Sequence, residues 1–321
     1  MKRRILLIFM LLIEVCAWAQ TPIFKADLSV PSRIAPAFFG PNAFPVPDMS
    51  DGRTSSDLKL EMYGDVFLGT IPSGKSAKED FAADLFARVT IPLFTDRVNL
   101  SLWMPIQEYY RTGPQINDYR RIGNNDYMSG WVPGDVYVST DIMLLTQEKH
   151  QLDAVLRAVL KSASGYGYHH ARNYDGPGYF FDATFARSFP VGNGQTVFRT
   201  ALSGGFLCWQ TDNGRQNDAV MYGILASMKY GRLGLEAEYG GYVGWEQCGD
   251  APMTLKTSAS WDVGDLSLRL QHQVGVVDWP FHQIRFGIEY RFINSLKTSK
   301  KNRIINCQNN IKIYQKVEKC L

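Results

Sequence analysis

Cysteine is scarce in this sequence. The chain has only five cysteines, and they are scattered along it. Such spacing excludes a disulfide framework and offers no cysteine cluster for a metal, so we predict no metal ion and no cofactor. Cys208 and Cys248 fall near the outer rim of the structure predicted below, where they either pair or stay separate free thiols.

Long apolar runs are also missing. After residue 19, no apolar stretch is long enough to cross a membrane as a helix. The run at 5–13 is about half of the roughly 20 residues that a spanning helix needs. It follows three basic residues and precedes Ala17 and Ala19, which predicts a signal peptide over 1–19. Cys16 allows a lipoprotein interpretation, but Glu14 and Val15 fit that cleavage poorly.

An excess of positive charge is absent once the two ends are set aside. The formal net charge of the chain is +3. Removing the +2 of residues 1–19 and the +6 of residues 294–321 leaves the part between them at −5. A basic nucleic-acid surface is therefore not indicated, and we predict no nucleic-acid partner.

What the sequence does have is alternation of apolar and polar residues. About twelve segments carry it, and the aromatic content of 13% and the 28 glycines suit aromatic girdles and tight turns. In the third segment, the residues predicted to face the lumen are Arg97, Asn99, Ser101, Gln107 and Arg111. The predicted strands are 57–69, 80–93, 97–111, 135–145, 151–164, 178–189, 195–210, 218–230, 232–243, 252–263, 265–276 and 283–292.

Connection length separates a membrane barrel from a soluble sandwich, which also alternates. Counted in chain order, the even-numbered connections between predicted strands are tight turns, such as those at Gly231 and Gly264. The odd-numbered connections are longer, such as 112–134 and 165–177. This is the asymmetry of periplasmic turns and outer loops. We predict an all-β chain with a single transmembrane antiparallel up-and-down β-barrel over 57–293, of about twelve strands, with ten or fourteen as alternatives, in the outer membrane of a Gram-negative bacterium.

Two segments lie outside the predicted strands. Residues 20–56 are rich in proline and aromatic residues, and their apolar residues follow neither the helical nor the strand period. We therefore predict an irregular segment that is periplasmic or plugs the lumen. Residues 294–321 are rich in Lys, Asn and Ile and follow the aromatic end at Phe292. We interpret them as a disordered basic tail without function.

Several runs resemble known proteins. APAFFGPNAFPVPDMSDG, NLSLWMP, YDGPGYFFDA, GFLCWQTDNGRQNDAVMYG, GGYVGWE and PFHQIRFGIEYRF are similar to an uncharacterised family of outer-membrane β-barrel proteins from Bacteroidetes-type bacteria. The resemblance covers about residues 31–292. It implies the same fold and location and carries over no catalytic residue. The tail after residue 294 departs from the family pattern, in which the closing strand ends the protein.

The predicted lumen carries charges of both signs. They either surround water and set the selectivity of a pore, or pair into a network that fills the interior. The predicted lumen-lining charges are Glu61, Asp65, Asp84, Arg88, Asp141, Asp153, Arg157, Lys161, Arg199, Glu236, Glu238, Lys256, Arg269, Arg285, Glu289 and Arg291.

The predicted outer loops hold the candidate ligand-binding residues. His169 and His170 suggest either the active site of an outer-leaflet lipid hydrolase or a metal site with Asp175. Against the hydrolase, no serine lies at a spacing that ties it to these histidines. Against the metal site, the side chains of adjacent residues point apart. Tryptophans beside hydrogen-bonding side chains are typical of a glycan-binding site. The alternative is that these tryptophans only form the aromatic girdle at the membrane interface. The candidates are Tyr168, His169, His170, Arg172, Asp175, Trp209, Asp212, Arg215, Trp245, Glu246 and Trp279.

From these patterns we predict a passive channel for small hydrophilic solutes. A non-conducting surface barrel that binds glycan or lipopolysaccharide is the alternative, and an outer-leaflet lipid hydrolase is the third hypothesis. We identify no catalytic residue and favour a protein that is not an enzyme. The expected partners are outer-membrane lipid, lipopolysaccharide, small solutes or glycans, and the barrel-assembly machinery through the closing strand.

Overall fold

The computed structural model describes residues 44–69, 80–93, 96–119, 128–165, 177–192, 194–210, 216–244, 251–278 and 280–292. The strands are β1 (Leu58–Gly69), β2 (Asp80–Pro92), β3 (Val98–Thr112), β4 (Met128–Val132), β5 (Tyr137–Leu145), β6 (Asp153–Lys161), β7 (Gly178–Val191), β8 (Thr196–Gln210), β9 (Gln216–Tyr230), β10 (Leu233–Gly244), β11 (Met253–Val263), β12 (Leu266–Val277) and β13 (Phe281–Phe292). Two short helices are α1 (Pro114–Tyr119) and α2 (Gln147–His150). Within these ranges, no helix has the length and apolar character to span a membrane.

The antiparallel sheet closes on itself. β1 pairs with β2 on one side and with β13 on the other, so the sheet closes into a ring. β4 and β5 both pair with β3 and together occupy one position of the ring, which gives a closed barrel of 12 strands. The predicted fold class is confirmed, and the alternative strand numbers of ten and fourteen are wrong.

The fourth position of the ring is interrupted, which the predicted strand 135–145 did not include. Residues 128–132, assigned to a loop by their sequence, form β4. Pro133 cannot donate a ladder hydrogen bond, which favours a break here. Gly134 fits the break because an added Cβ would lie 2.3 Å from Cγ of Pro105, and its N–H donates to the Pro105 carbonyl over 2.9 Å.

A β-bulge in β3 reverses which side chains point into the lumen beyond it, so the prediction for that part of the strand is wrong. Ile106 has no partner in the pairing of β2 with β3, so the alternation shifts by one residue beyond it. Glu108 and Tyr110 are therefore buried inside the barrel. Gln107 and Arg111, predicted to face the lumen, lie instead on the outward positions, and Arg111 is exposed.

The outer surface of the barrel is a belt of exposed apolar side chains. Leu202 is 60% exposed and Ile284 is 56% exposed, and every strand adds at least one exposed large apolar residue to the belt. A soluble protein rarely exposes a continuous apolar surface of this kind, whereas hydrocarbon solvates it favourably. The inward positions carry the polar and charged residues, which is the distribution of a membrane-spanning barrel.

The two ends of the barrel differ in their connections. At one end, here called the short-turn end, two-residue turns at 231–232 and 264–265 join β9 to β10 and β11 to β12. Gly231 and Gly264 adopt φ of 55° and 63°, which a side chain rarely permits. The first residue of β1 and the last of β13 also lie here. The opposite end, the long-loop end, carries the longer connections.

Candidate functional site: the barrel lumen

All of the predicted lumen-lining charges lie at inward-facing strand positions. The structure brings most of them together as ion pairs between strands. Their role in a solute path stays a prediction. The residues so placed are Glu61, Asp65, Asp84, Arg88, Asp141, Asp153, Arg157, Lys161, Arg199, Glu236, Glu238, Lys256, Arg269, Arg285, Glu289 and Arg291.

Two ion pairs of the lumen are dry, one halfway along the strands and one near the short-turn end. Nε of Arg157 lies 2.7 Å from the Asp182 carboxylate, and a guanidinium nitrogen of Arg199 lies 2.8 Å from Asp153. Both arginine side chains are largely buried. The first pair joins the neighbouring strands β6 and β7, and the second spans from β8 to β6. Removing one member of such a buried pair leaves an uncompensated charge.

Other ion pairs near the short-turn end are wetter than the pair of Arg199 and Asp153. The side chains of Lys256 and Glu238, deep in the lumen, are 4% and 7% exposed. Those of Arg269 and Glu236, nearer the short-turn end, are 49% and 26% exposed. The wall of the lumen is therefore hydrated from the short-turn end inward.

Sequence reasoning missed several acidic residues of this network. Asp182 pairs with Arg157, and Asp262 pairs with Lys229 and Arg291. The strict alternation within β7 and β11 was a usable signal for both. Asp48 had no such signal, because it lies in an irregular segment whose position depends on tertiary contacts.

Residues 44–57, here called the luminal segment, lie inside the barrel ahead of β1. They belong to the predicted segment 20–56, whose residues 20–43 lie outside the described part. At the short-turn end, Ser55 donates its N–H to Asn99 over 2.6 Å, and Asn99 returns a bond to the Ser55 carbonyl over 2.9 Å. From there the segment extends into the lumen toward the long-loop end.

Arg199 fastens the middle of the luminal segment to the wall. Its Nε donates to the Asp51 carbonyl over 2.8 Å and its second terminal nitrogen donates to the Gly52 carbonyl over 3.0 Å, while the remaining nitrogen pairs with Asp153 and Ser188. Each nitrogen of the guanidinium thus has a partner, and one buried side chain bridges the segment and two strands.

Asp48 provides the second attachment. Its carboxylate accepts from Nζ of Lys256 over 2.5 Å and lies 3.8 Å from Arg285. Burial alone would raise the pKa of Asp48, but the positive charges of Lys256 and Arg285 outweigh it and hold the pKa below its usual range. The side chain is nevertheless 53% exposed, so water-accessible space lies beside it within the barrel.

Apolar residues close the lumen toward the long-loop end. Phe44 is fully buried, and its ring lies 6.1 Å from that of Trp209. Tyr242 donates to the Phe44 carbonyl over 3.4 Å. Val46 joins the same cluster, which is formed by inward residues near the long-loop ends of the strands: Phe67, Ala82, Tyr137, Val159, Phe180, Leu207, Trp209, Ala219, Met221, Tyr242 and Phe281. The luminal segment therefore contributes the central part of an apolar seal.

Stacked aromatic rings line the part of the lumen wall formed by β13, β1, β2 and β3. Tyr63 stacks on Phe86 with centroids 4.6 Å apart, and Arg285 lies 4.4 Å above the Tyr63 ring. Trp103 likewise has Arg88 at 4.9 Å from its ring centroid. These residues lie on β1, β2, β3 and β13. Arg199 lies on β8 across the ring, whereas Lys256 lies on β11, two strands from β13.

Gly52 is the position where a small change should displace the luminal segment. Its φ is 74°, and an added Cβ would lie 2.6 Å from Cβ of Ala186 and 3.2 Å from Arg199. We expect Gly52→Ala to loosen the segment and leave the barrel folded, measured as faster cleavage within 44–57 by an added protease. Gly192→Ala is the matched control, since φ there is 63° with nothing within 4 Å. Equal cleavage of both variants would contradict the expectation.

The predicted outer-loop candidates fall mostly outside the described residues. These are Tyr168, His169, His170, Arg172, Asp175, Asp212, Arg215, Trp245, Glu246 and Trp279. Trp209 is described, and its assignment to an outer loop is wrong, because it lies in β8 and is 1% exposed inside the apolar seal. Cys208 is a buried free thiol, and Cys248 lies outside the described part.

Comparison with solved structures identifies the fold. The chain is similar to the COG4313 outer membrane channel from Pseudomonas putida F1, with a TM-score of 0.50, 14% identity, and coverage of 77% of this chain and 100% of that one. It is a barrel of the outer-membrane type. A NanC porin structure matches with a TM-score of 0.46 and 10% identity, over 73% of this chain and 100% of that one.

At these identities the likeness concerns the fold alone. No family model matches this sequence, and no curated protein matches it either. The resemblance to a Bacteroidetes-type family therefore stays a prediction, as do the signal peptide at 1–19 and the basic tail at 294–321.

Proposed function

We propose that this protein is a channel for small hydrophilic solutes in a Gram-negative outer membrane, closed in this structure by the luminal segment. The observation that carries the proposal is the division of the lumen. Its short-turn half has a charged, hydrated wall, whereas its long-loop half is closed by an apolar seal to which Phe44 and Val46 contribute. These two residues precede the first strand, so their removal need not disturb any strand pairing.

The chemistry of the lumen supports a hydrophilic solute. Carboxylates and guanidinium groups alternate around the wall, and Asp48 has water-accessible space beside it. We propose that solutes pass between the luminal segment and the wall formed by β1, β2 and β3, after the segment moves. The alternating signs of the wall offer hydrogen bonds to hydroxyl and carboxylate groups without selecting one charge.

A non-conducting surface barrel is the second candidate. The observation that favours it is the same apolar seal, since Phe44 and Trp209 are almost fully buried together. In that case the luminal segment is a permanent part of the interior, and outer loops bind glycan or lipopolysaccharide. The two candidates differ in whether the segment leaves its place.

Replacing Asp48 tests the proposed function. Asp48→Ala removes the carboxylate that attaches the segment to Lys256 and Arg285, which we expect to cost the closed state about 1–2 kcal/mol because the site is partly hydrated. The open probability in planar bilayers should rise about 5- to 30-fold. Asp51→Ala is the matched control on the same segment, because that carboxylate contacts only the exposed Arg53.

Two results would contradict the channel. A folded Asp48→Ala protein that shows no conductance steps above the bare bilayer argues for the non-conducting barrel. An equal response to Asp48→Ala and Asp51→Ala shows that the attachment to Lys256 does not control opening. Folding is checked by the slower migration of unheated barrels in SDS gels compared with heated ones.

A further inference from the structure

Two histidines lie side by side on the outer wall of the barrel. His272 in β12 and His282 in β13 occupy outward-facing positions, and both are exposed. Nε2 of His272 lies 3.2 Å from Nδ1 of His282, and the two rings are 5.5 Å apart with an interplanar angle of 7°. They lie on neighbouring strands, whose pairing fixes the distance between their backbones.

The surroundings make this pair unusual. On the same outward face, Leu270 is 55% exposed and Ile284 is 56% exposed, so the imidazoles interrupt the apolar belt. Polar side chains facing lipid are costly, and they usually mark a function or lie at the headgroup level. His282 is the second residue of β13 and pairs with Leu68, next to the last residue of β1, so the pair lies toward the long-loop end.

The distance between the two nitrogens is close to that expected for two histidine nitrogens bound to one metal ion. Zinc binds histidine nitrogen at about 2.0–2.1 Å in tetrahedral geometry, which puts two ligating nitrogens about 3.3–3.4 Å apart. The observed 3.2 Å between His272 and His282 is close to that value. A metal ion can therefore replace the hydrogen bond between the rings after small side-chain rotations, with little movement of the strands.

We propose that His272 and His282 form an open binding site for a divalent transition metal ion, with Zn²⁺ as the probe. Each imidazole is neutral when it ligates, so His272 carries its proton on Nδ1 and His282 carries its proton on Nε2. The pair alone provides two ligands, because the described residues contain no group of three or more His, Cys, Asp or Glu arranged for a metal. The remaining positions take water or phosphate oxygens of the surrounding lipid.

Zinc binding to the purified full-length mature protein, without an affinity tag and in detergent, tests the site. Calorimetric titration with ZnCl₂ should give one more bound equivalent for the unmodified protein than for His272→Ala or His282→Ala. His150→Ala is the matched control, since His150 is an exposed histidine in α2 at the short-turn end. It should keep the full stoichiometry. Zinc bound by His169 and His170 would be common to all four proteins and cancels in the comparison.

A measurement on the unmodified protein makes the result independent of folding of the variants. Cu²⁺ in place of Zn²⁺ should give an electron paramagnetic resonance signal with coupling to two imidazole nitrogens, and this signal should persist in His150→Ala. The proposal is overturned if the stoichiometry of His272→Ala and His282→Ala equals that of the unmodified protein. It is also overturned if only one of the two substitutions lowers the stoichiometry, since the site requires both rings.

Discussion

A chain that begins at Thr54 is expected to conduct almost continuously in planar bilayers, while the mature chain stays closed most of the time. Truncation removes Phe44 and Val46 from the apolar seal and removes the attachments of Asp48 and of the Asp51 and Gly52 carbonyls. The Asp48 attachment at about 1–2 kcal/mol and the charge-assisted attachment to Arg199 at about 1.5–3 kcal/mol together imply a rise of roughly a hundredfold or more in the open-to-closed ratio.

The truncated barrel should still fold, because the wall keeps partners for the charges that the segment leaves. Arg199 retains Asp153, and Lys256 retains Glu238 at 2.9 Å. All strand pairings lie after residue 57, so closure of the sheet does not depend on the segment. Ser55 also keeps its bonds to Asn99.

The open-to-closed ratio is measured by single-channel recording of the refolded truncated and mature proteins under the same conditions. Both are first checked for heat-dependent migration in SDS gels, which reports a folded barrel. A folded truncated barrel without conductance steps would refute the proposed channel, because the residues of the luminal segment that contact Trp209, Arg199 and Lys256 are then absent. Equal conductance of both chains would show that the segment does not close the lumen.

The second large effect is on stability, at the ion pair between Asp135 and Lys161. Both side chains are 1% exposed and hydrogen-bonded to each other. The other oxygen of Asp135 accepts the N–H groups of Ser164 and Gly165 over 2.8 and 2.6 Å, which ties the start of the following long connection to the break after β4. Burial raises the pKa of Asp135, although Lys161 and these N–H groups oppose the rise. The carboxyl is thus held in place at a cost in solvation.

Asp135→Ala should lower the free energy of unfolding by about 3–5 kcal/mol, because it removes the carboxylate that is hydrogen-bonded to the buried Lys161 charge. Urea unfolding of the barrel in lipid vesicles provides the measurement. Asp262→Ala is the control, since its partner Lys229 is 44% exposed, and we expect a loss of about 1 kcal/mol or less.

A double variant separates the buried charge from the lost hydrogen bonds. Asp135→Asn together with Lys161→Met keeps an acceptor for Ser164 and Gly165 and removes both charges. It should recover most of the stability lost in Asp135→Ala. If Asp135→Ala costs no more than Asp262→Ala, burial of the pair does not control stability at this position.

The places where sequence-based prediction failed have local physical causes. Alternation with a period of two assigns a face only while the ladder is unbroken, so the bulge at Ile106 reversed the facing of Gln107 and Arg111. The break at Pro133 and Gly134 hid β4 inside a predicted loop. Trp209 was grouped with the outer-loop candidates because of the polar run that follows it, although the predicted strand 195–210 already included it.

The sequence by itself determined the strands, their closure into a barrel and the charged character of the lumen, because lipid outside and polar groups inside impose a period of two on every strand. Only the tertiary structure decided which charges pair, that residues 44–57 enter the lumen, and that His272 and His282 meet on the outer wall. These outcomes depend on the register between strands that are distant in sequence and on the position of an irregular segment. Neither produces a periodic pattern of apolar and polar residues in the local sequence.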